Sequence, residues 1–253
     1  MRNLFPLSLV ALAASAQAEW KVLSNEFEPG RAGIEHRHIV LETTAANQRA
    51  DLDLAIFSAK SCALRVIDNP DGQDLAAVVK REKCVCGVNG GYFDASFQPI
   101  GLRIIDGQTI APLRHARLIT GVLLASSRGV QIVRAREFSP HQKKAAVAIQ
   151  CGPFLVDSLQ RVIGLNNSAL ARRTFAATTA KDRALLGVCS EVSLADLAQI
   201  LGATPIDPSS KITRALNLDG GSSSAFWFLR EDGSAFAISG QKPVRDFVAV
   251  APK

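Results

Sequence analysis

The chain has 253 residues, 47% of them hydrophobic, and a formal net charge of +6. That length and apolar content exclude a disordered or fibrous polypeptide and suffice for one buried core. The basic excess is scattered, with no run of Lys and Arg interleaved with aromatics, which argues against nucleic acid as a partner.

In chain order, Met1-Arg2-Asn3 leads into an apolar stretch from Leu4 to Ala14, then Ser15-Ala16-Gln17-Ala18 before Glu19. A basic start, a short apolar run and an A-x-A site make a secretory signal. The run is shorter than the roughly 20 residues that cross a bilayer. Residues 1–18 are therefore expected to be a signal peptide, and residues 19–253 one exported domain, periplasmic or secreted, with no membrane span. Five cysteines, Cys62, Cys84, Cys86, Cys151 and Cys189, would then sit where disulfides are allowed, the odd count leaving at least one thiol over.

Strands are expected at 34–43, 52–58, 63–68, 85–89, 101–105, 118–125, 130–135, 154–156, 174–179, 184–189, 215–218, 225–229 and 247–251. These runs are rich in Val, Ile, Leu and Phe and bounded by Gly, Asp, Asn or Pro. Asp106-Gly107 and Asp232-Gly233 read as two-residue hairpin turns. One helix is expected over 71–83, with Leu75, Val78 and Val79 inward. Another starts at Ser193, where a Ser cap is followed three residues on by Asp196, and Gly202 suits its left-handed end. A shorter turn could begin at Ser139-Pro140, and 145–149 suits helix or strand. The fold class is α/β in the mixed α+β sense, a single domain with curved mixed sheets and a few helices.

Two glycine turns stand out. Gly87-Val88-Asn89-Gly90-Gly91-Tyr92-Phe93-Asp94 closes an apolar run with two glycines, then presents the only tyrosine and a carboxylate. Ala215-Leu216-Asn217-Leu218-Asp219-Gly220-Gly221-Ser222-Ser223-Ser224 repeats the pattern, delivering Asp219 at a strand end before a hydroxyl-rich turn. Glycine pairs let backbone turn sharply or approach a ligand closely, and successive amides in such a turn can form an anion-binding nest. Each segment also reads as ordinary turn chemistry.

With Gly152-Pro153-Phe154-Leu155-Val156, Arg172-Arg173-Thr174 and Lys242-Pro243-Val244-Arg245-Asp246-Phe247-Val248 in the same order, these motifs resemble the phosphodiester glycosidase domain family over about 85–250. The sequence departs from the family pattern after Gly152-Pro153 (Asp157-Ser158-Leu159-Gln160), after Arg173, and at Asp246, where Asn is common. The resemblance implies a carbohydrate phosphodiester substrate and hydrolysis of the bond between sugar C1 and phosphate oxygen. A carboxylate would stabilise the oxocarbenium-like state, Asp219 first and Asp94 second. Arg172 or Arg173 would fork onto phosphate. Asn89, Gly90, Gly91, Tyr92, Gly220, Gly221, Ser222 and Ser223 would hold the substrate.

No cofactor is required by this reading, although Asp94 and Asp219 would suit a hard cation such as calcium. Cys84-Val85-Cys86 is half a metal motif without a second half. Two alternatives remain: a non-catalytic binder of anionic envelope polysaccharide, and a thiol hydrolase using Cys151 activated by His115 or His141.

Overall fold

The computed structural model describes residues 19–43, 48–139, 144–207 and 209–253; the expected signal peptide, residues 1–18, and the expected turn at Pro140 lie outside them, as does His141. Every apolar run expected to be a strand is one, and Trp20–Pro29, Gln108–Ala111, Val147–Cys151 and Ala235–Ile238 join them. Among the described residues there are two α-helices, of seven and ten residues. The expected mixed α+β class is corrected accordingly: the described chain is predominantly β, and its three sheets pair antiparallel throughout. Short turns explain this, because they join sequence neighbours antiparallel, whereas parallel pairs need long crossovers.

The largest sheet has seven strands in the spatial order Trp20–Pro29, Glu35–Thr43, Gln48–Ser58, Arg183–Val192, Ala171–Thr179, Ile212–Asn217 and Phe154–Asp157. A second has five: Gln108–Ala111, Arg103–Ile105, Val147–Cys151, Gly121–Ser126 and Gly129–Arg134. The third runs Ala235–Ile238, Phe226–Leu229, Cys86–Asn89, Asp246–Pro252 and Cys62–Asp68.

Both faces of the large sheet are covered, so its central strands are apolar on both sides rather than alternating. Leu52, Leu54, Ile56 and Phe175 pack with Leu197, Ile200 and Leu201 of the helix Leu194–Ala203. Ala55, Ala176, Leu186 and Val188 on the opposite face meet Val88, Phe226 and Phe228 of the third sheet and Leu123 and Ile149 of the second. The three sheets thus share one core.

The helix after Ser193 begins on a reciprocal capping box with Asp196. It runs through Gly202 instead of stopping there, and ends at Thr204, which is extended ahead of Pro205. The other helix is shorter than expected, Leu75–Arg81: Asp74 caps it by accepting from the Ala77 amide at 2.9 Å, and Lys83 ends it with φ 54°. Asp106 and Gly107, at φ 48° and 79°, make the expected two-residue turn. The hairpin at Asp232-Gly233 is wider, with the Arg230 amide donating to Ser234 O across three intervening residues. All five cysteines are buried, unlinked thiols, so the expected opportunity for disulfides is not taken up.

Candidate functional site

The two glycine turns leave strands of different sheets, Cys86–Asn89 and Ile212–Asn217, and meet at the seam between them. The Asp219 amide donates to Gly90 O at 3.0 Å. Asn89, fully buried, donates from Nδ2 to Asp219 O at 2.7 Å. Its Oδ1 accepts from Thr174 Oγ1 at 2.7 Å and from the Ala225 amide at 3.0 Å. Asn89 is therefore placed as a strut between the turns and the strand Ala171–Thr179.

Gly90 and Gly91 are glycines for reasons of space. A Cβ on Gly90 would collide with the Asp246 carboxylate, and one on Gly91 with the Arg103 guanidinium. Those two groups form a buried ion pair, Nε to Oδ2 at 2.6 Å, each side chain 2% exposed. Asp246 Oδ1 also accepts the Gly91 amide at 2.8 Å, while Arg103 donates to the carbonyls of Tyr92, Leu102 and Gln150 at 3.0–3.2 Å. The carboxylate that stands where the family resemblance calls for Asn is thus answered by an arginine.

Asp219 is half-buried and held on both oxygens: the Gly220 amide donates to Oδ1 at 3.0 Å, and Ser223 Oγ donates to Oδ2. Burial raises its carboxyl above the ordinary carboxylate value, against the opposing pull of the Ser223 hydroxyl, the Lys242 ammonium and the Gly220 amide. Gly221 has φ 62°, a left-handed turn that opens the short helical turn Gly221–Ser223. Beside this turn runs a groove of about 320 Å³ lined by Ser223, Ala225, Gly240, Gln241, Lys242 and Pro243 among others. Asp219 itself does not line the groove; Ser223 and Lys242 connect the two.

Arg172 and Arg173 are placed differently. The Arg172 guanidinium clamps the turn by donating to the carbonyls of Gly221, Ser224 and Ser239. Arg173 donates to Val192 O at 2.9 Å and to Ala169 O. Tyr92 is half-buried. Its hydroxyl donates to Gly152 O at 2.7 Å and accepts from Asn217 Nδ2 at 3.1 Å, and burial holds the phenol far above its ordinary value. Asp94 is exposed; its Oδ1 accepts the Ser96 and Gln98 amides, both at 2.9 Å, and shapes its own loop. Ser222 accepts the Gln241 amide on its carbonyl at 2.7 Å, bringing the Lys242 segment to the turn.

Four residues given no site role from the sequence belong here: Arg103, which no motif contained, and Asn217, Lys242 and Asp246, which the motifs did contain. Arg103 carried no visible signal, because an Arg inside an apolar strand is recognisable as a partner only once Asp246 faces it. Asn217 lies within the Asp219 motif, and its Oδ1 is buried without a hydrogen-bond partner among the described residues. Among those residues no group of three or more His, Cys, Asp or Glu is arranged to hold a metal ion. Cys151 is fully buried and burial raises its thiol to about 12, which leaves little thiolate for nucleophilic attack. His36 is buried between Glu28 and Asp53, both of which occupy its ring nitrogens.

Fold and site together define an antiparallel β-protein that displays one half-buried carboxylate on a glycine-serine turn. The chain belongs to the phosphodiester glycosidase family of glycosidase-type hydrolases, whose family model matches residues 82–251. Sequence comparison with curated proteins gives no match. Among solved structures, the zebrafish N-acetylglucosamine-1-phosphodiester alpha-N-acetylglucosaminidase catalytic domain, auto-inhibited by its pro-peptide, is similar with TM-score 0.64 at 14% identity, over 95% of this chain and 85% of that one. A hypothetical protein from Synechocystis is similar with TM-score 0.61 at 14% identity over 87% of this chain, which spans 62% of that protein's length. A Burkholderia pseudomallei protein assigned as exported gives TM-score 0.59 at 12% identity, over 84% of this chain and 77% of that one. At these identities the likeness is one of fold.

Proposed function

We propose that this protein is exported and hydrolyses a sugar-1-phosphodiester, breaking the bond between sugar C1 and phosphate oxygen in a glycan or envelope polymer. The observation that carries the reading is Asp219: a half-buried carboxylate, raised by burial, fixed on both oxygens and beside a lysine. Departure of a phosphate monoester leaves an electron-poor sugar carbon, which an ionised Asp219 stabilises, captures, or supplies with water by taking its proton. Water provides the new C1–OH bond, and the released phosphate keeps the electrons of the broken one.

The leaving phosphate needs positive charge more than a proton. Lys242, whose ammonium also lies 5.2 Å from the Phe93 ring centroid, and Arg173 are the cations for this role. Arg172 supports the turn through its carbonyl contacts. Asn89 and Tyr92 act as positioning residues, and Asp94 serves its own loop. A divalent cation such as calcium enters the proposal only through the test.

The test is incubation of the mature protein with a defined sugar-1-phosphodiester, with and without EDTA, reading free reducing sugar, and repeating with Asp219→Asn. Release by the natural protein and none by the variant is expected. Binding without release would favour a non-catalytic binder of anionic polysaccharide.

A further inference from the structure

Next to the Gly152-Pro153 segment, the second sheet carries a separate pocket of about 260 Å³, lined by His115, Ala116, Ile119, Thr120, Arg134 and Arg136. Arg134 is built into its wall. Its Nε donates to Asp157 Oδ2 at 2.8 Å and its guanidinium stacks over the Phe154 ring at 4.8 Å. Its Nη2 is buried and has no hydrogen-bond partner among the described residues. A buried guanidinium N–H without a protein acceptor calls for a water or an ion to supply one.

The local charge balance favours an anion. The two nearest carboxylates, Asp157 and Glu137, are taken up by Arg134 and Arg214. Arg136 is exposed and its guanidinium donates to the Gln160 side chain, with no carboxylate partner among the described residues. Arg114, Arg117 and Arg161 are exposed in the flanking loops, with no carboxylate partner among the described residues. Arg134 and Arg136 meet His115 at this pocket only through the fold.

The pocket adjoins the wall of the Asp219 site. Phe154 N donates to Thr120 Oγ1 at 3.0 Å, and a Cβ on Gly152 would meet the Leu118 carbonyl and the Thr120 amide. Gly152 O is the atom that accepts from Tyr92 and Asn217.

We infer that this pocket binds a second phosphate of a substrate carrying several, so that the favoured ligand is a repeating phosphodiester polymer and not a single sugar-1-phosphodiester. The inference rests on the proposed function only in assigning the anion to the substrate. Two neighbouring phosphate subsites raise affinity by effective concentration, without a new contact at the first.

The experiment compares a synthetic oligomer of repeating sugar-1-phosphodiester units with its monomer by calorimetry at fixed ionic strength, for the natural protein, Arg136→Glu and Lys181→Glu. Arg136 and Lys181 are both exposed, so neither change threatens folding. The oligomer should bind about tenfold or more tighter than the monomer, an advantage that Arg136→Glu abolishes and Lys181→Glu preserves. Equal loss in both variants would reveal diffuse charge and overturn the inference, as would an unchanged advantage in Arg136→Glu. Displacement of the oligomer by inorganic phosphate at equal concentration would overturn the polymer assignment. An intact oligomer preference with no sugar release removes the hydrolase reading and leaves the subsite. Release with an unaltered oligomer KM in Arg136→Glu does the reverse.

Discussion

Removing one member of the Arg103–Asp246 pair should unsettle the whole seam between the sheets. Both side chains are 2% exposed at an Nε–Oδ2 distance of 2.6 Å, and breaking a buried pair by truncating one partner costs about 3–5 kcal/mol because a charge is left uncompensated. Asp246→Ala adds an unsatisfied Gly91 amide, since Asp246 Oδ1 is its acceptor, and belongs at the top of that range. For a chain of this size each kcal/mol moves Tm by about 2–4 °C, so a loss of roughly 10 °C or more is expected. Asp246→Asn keeps an acceptor for Gly91, and Arg103 retains the carbonyls of Leu102, Gln150 and Tyr92, so it should cost less. Arg103→Met alone strands the Asp246 charge; combined with Asp246→Asn it removes the stranded charge. Urea unfolding of both singles and the double should therefore show the double less destabilised than the sum by more than about 1 kcal/mol. Additivity within about 0.5 kcal/mol would refute the claim that the two charges answer each other.

Asp219→Asn should lower turnover by about 10² to 10⁴-fold, the range for loss of a positioned proton-transfer group, while raising Tm. The sign follows from its raised carboxyl. Below the unfolded value both states are protonated. Between the unfolded and the higher folded value stability falls as pH rises, and the variant lacks that fall. Activity that needs the ionised form should rise over the same window, so a pH profile and a pH series of melting curves should run in opposite directions. Gly91→Ala should fail to accumulate as folded protein, because its Cβ would sit 2.9 Å from Arg103 Cζ; a near-native circular dichroism spectrum and Tm would contradict this. A thiol reagent should label none of the five cysteines in the native protein and all of them after denaturation, with activity unchanged by native-state treatment; native labelling that abolishes activity would restore Cys151 as a nucleophile.

Strand positions were legible in the sequence because nearly every one is an apolar run with turn residues at its ends. Trp20–Pro29 was not: its burial alternates with exposed Lys21, Leu23, Glu26 and Phe27 along an outer strand, and Asn and Glu dilute the apolar signal. Sheet orientation was also hidden, since apolar content marks a buried strand but not the direction of its partner. The helix at Ser193 was readable from its cap, while its end was not, since Gly202 is compatible with both a helix interior and a stop. At the site, the motif residues announced themselves through glycine pairs, and Asn89 and Asp219 do meet. What no motif conveyed was which polar groups are already occupied. Arg172 gives its donors to three backbone carbonyls, and Asp94 accepts from its own loop. Lys242, by contrast, is brought to Asp219 by a segment that reads as chain closure.

One residue clasps the Asp219 turn at both ends. Asn89 holds the Asp219 carbonyl with Nδ2, and its Oδ1 receives the Ala225 amide just beyond the last serine. A loop secured at both of its feet by one buried amide cannot swing as a lid, and Arg172 pins its middle from outside. The carboxylate proposed to react therefore sits in a preformed socket, and little conformational freedom remains to be lost when a ligand arrives. Discrimination between ligands then falls to the rim, where the loops at 112–118 and 241–243 differ in charge and shape, and not to closure around the bound molecule.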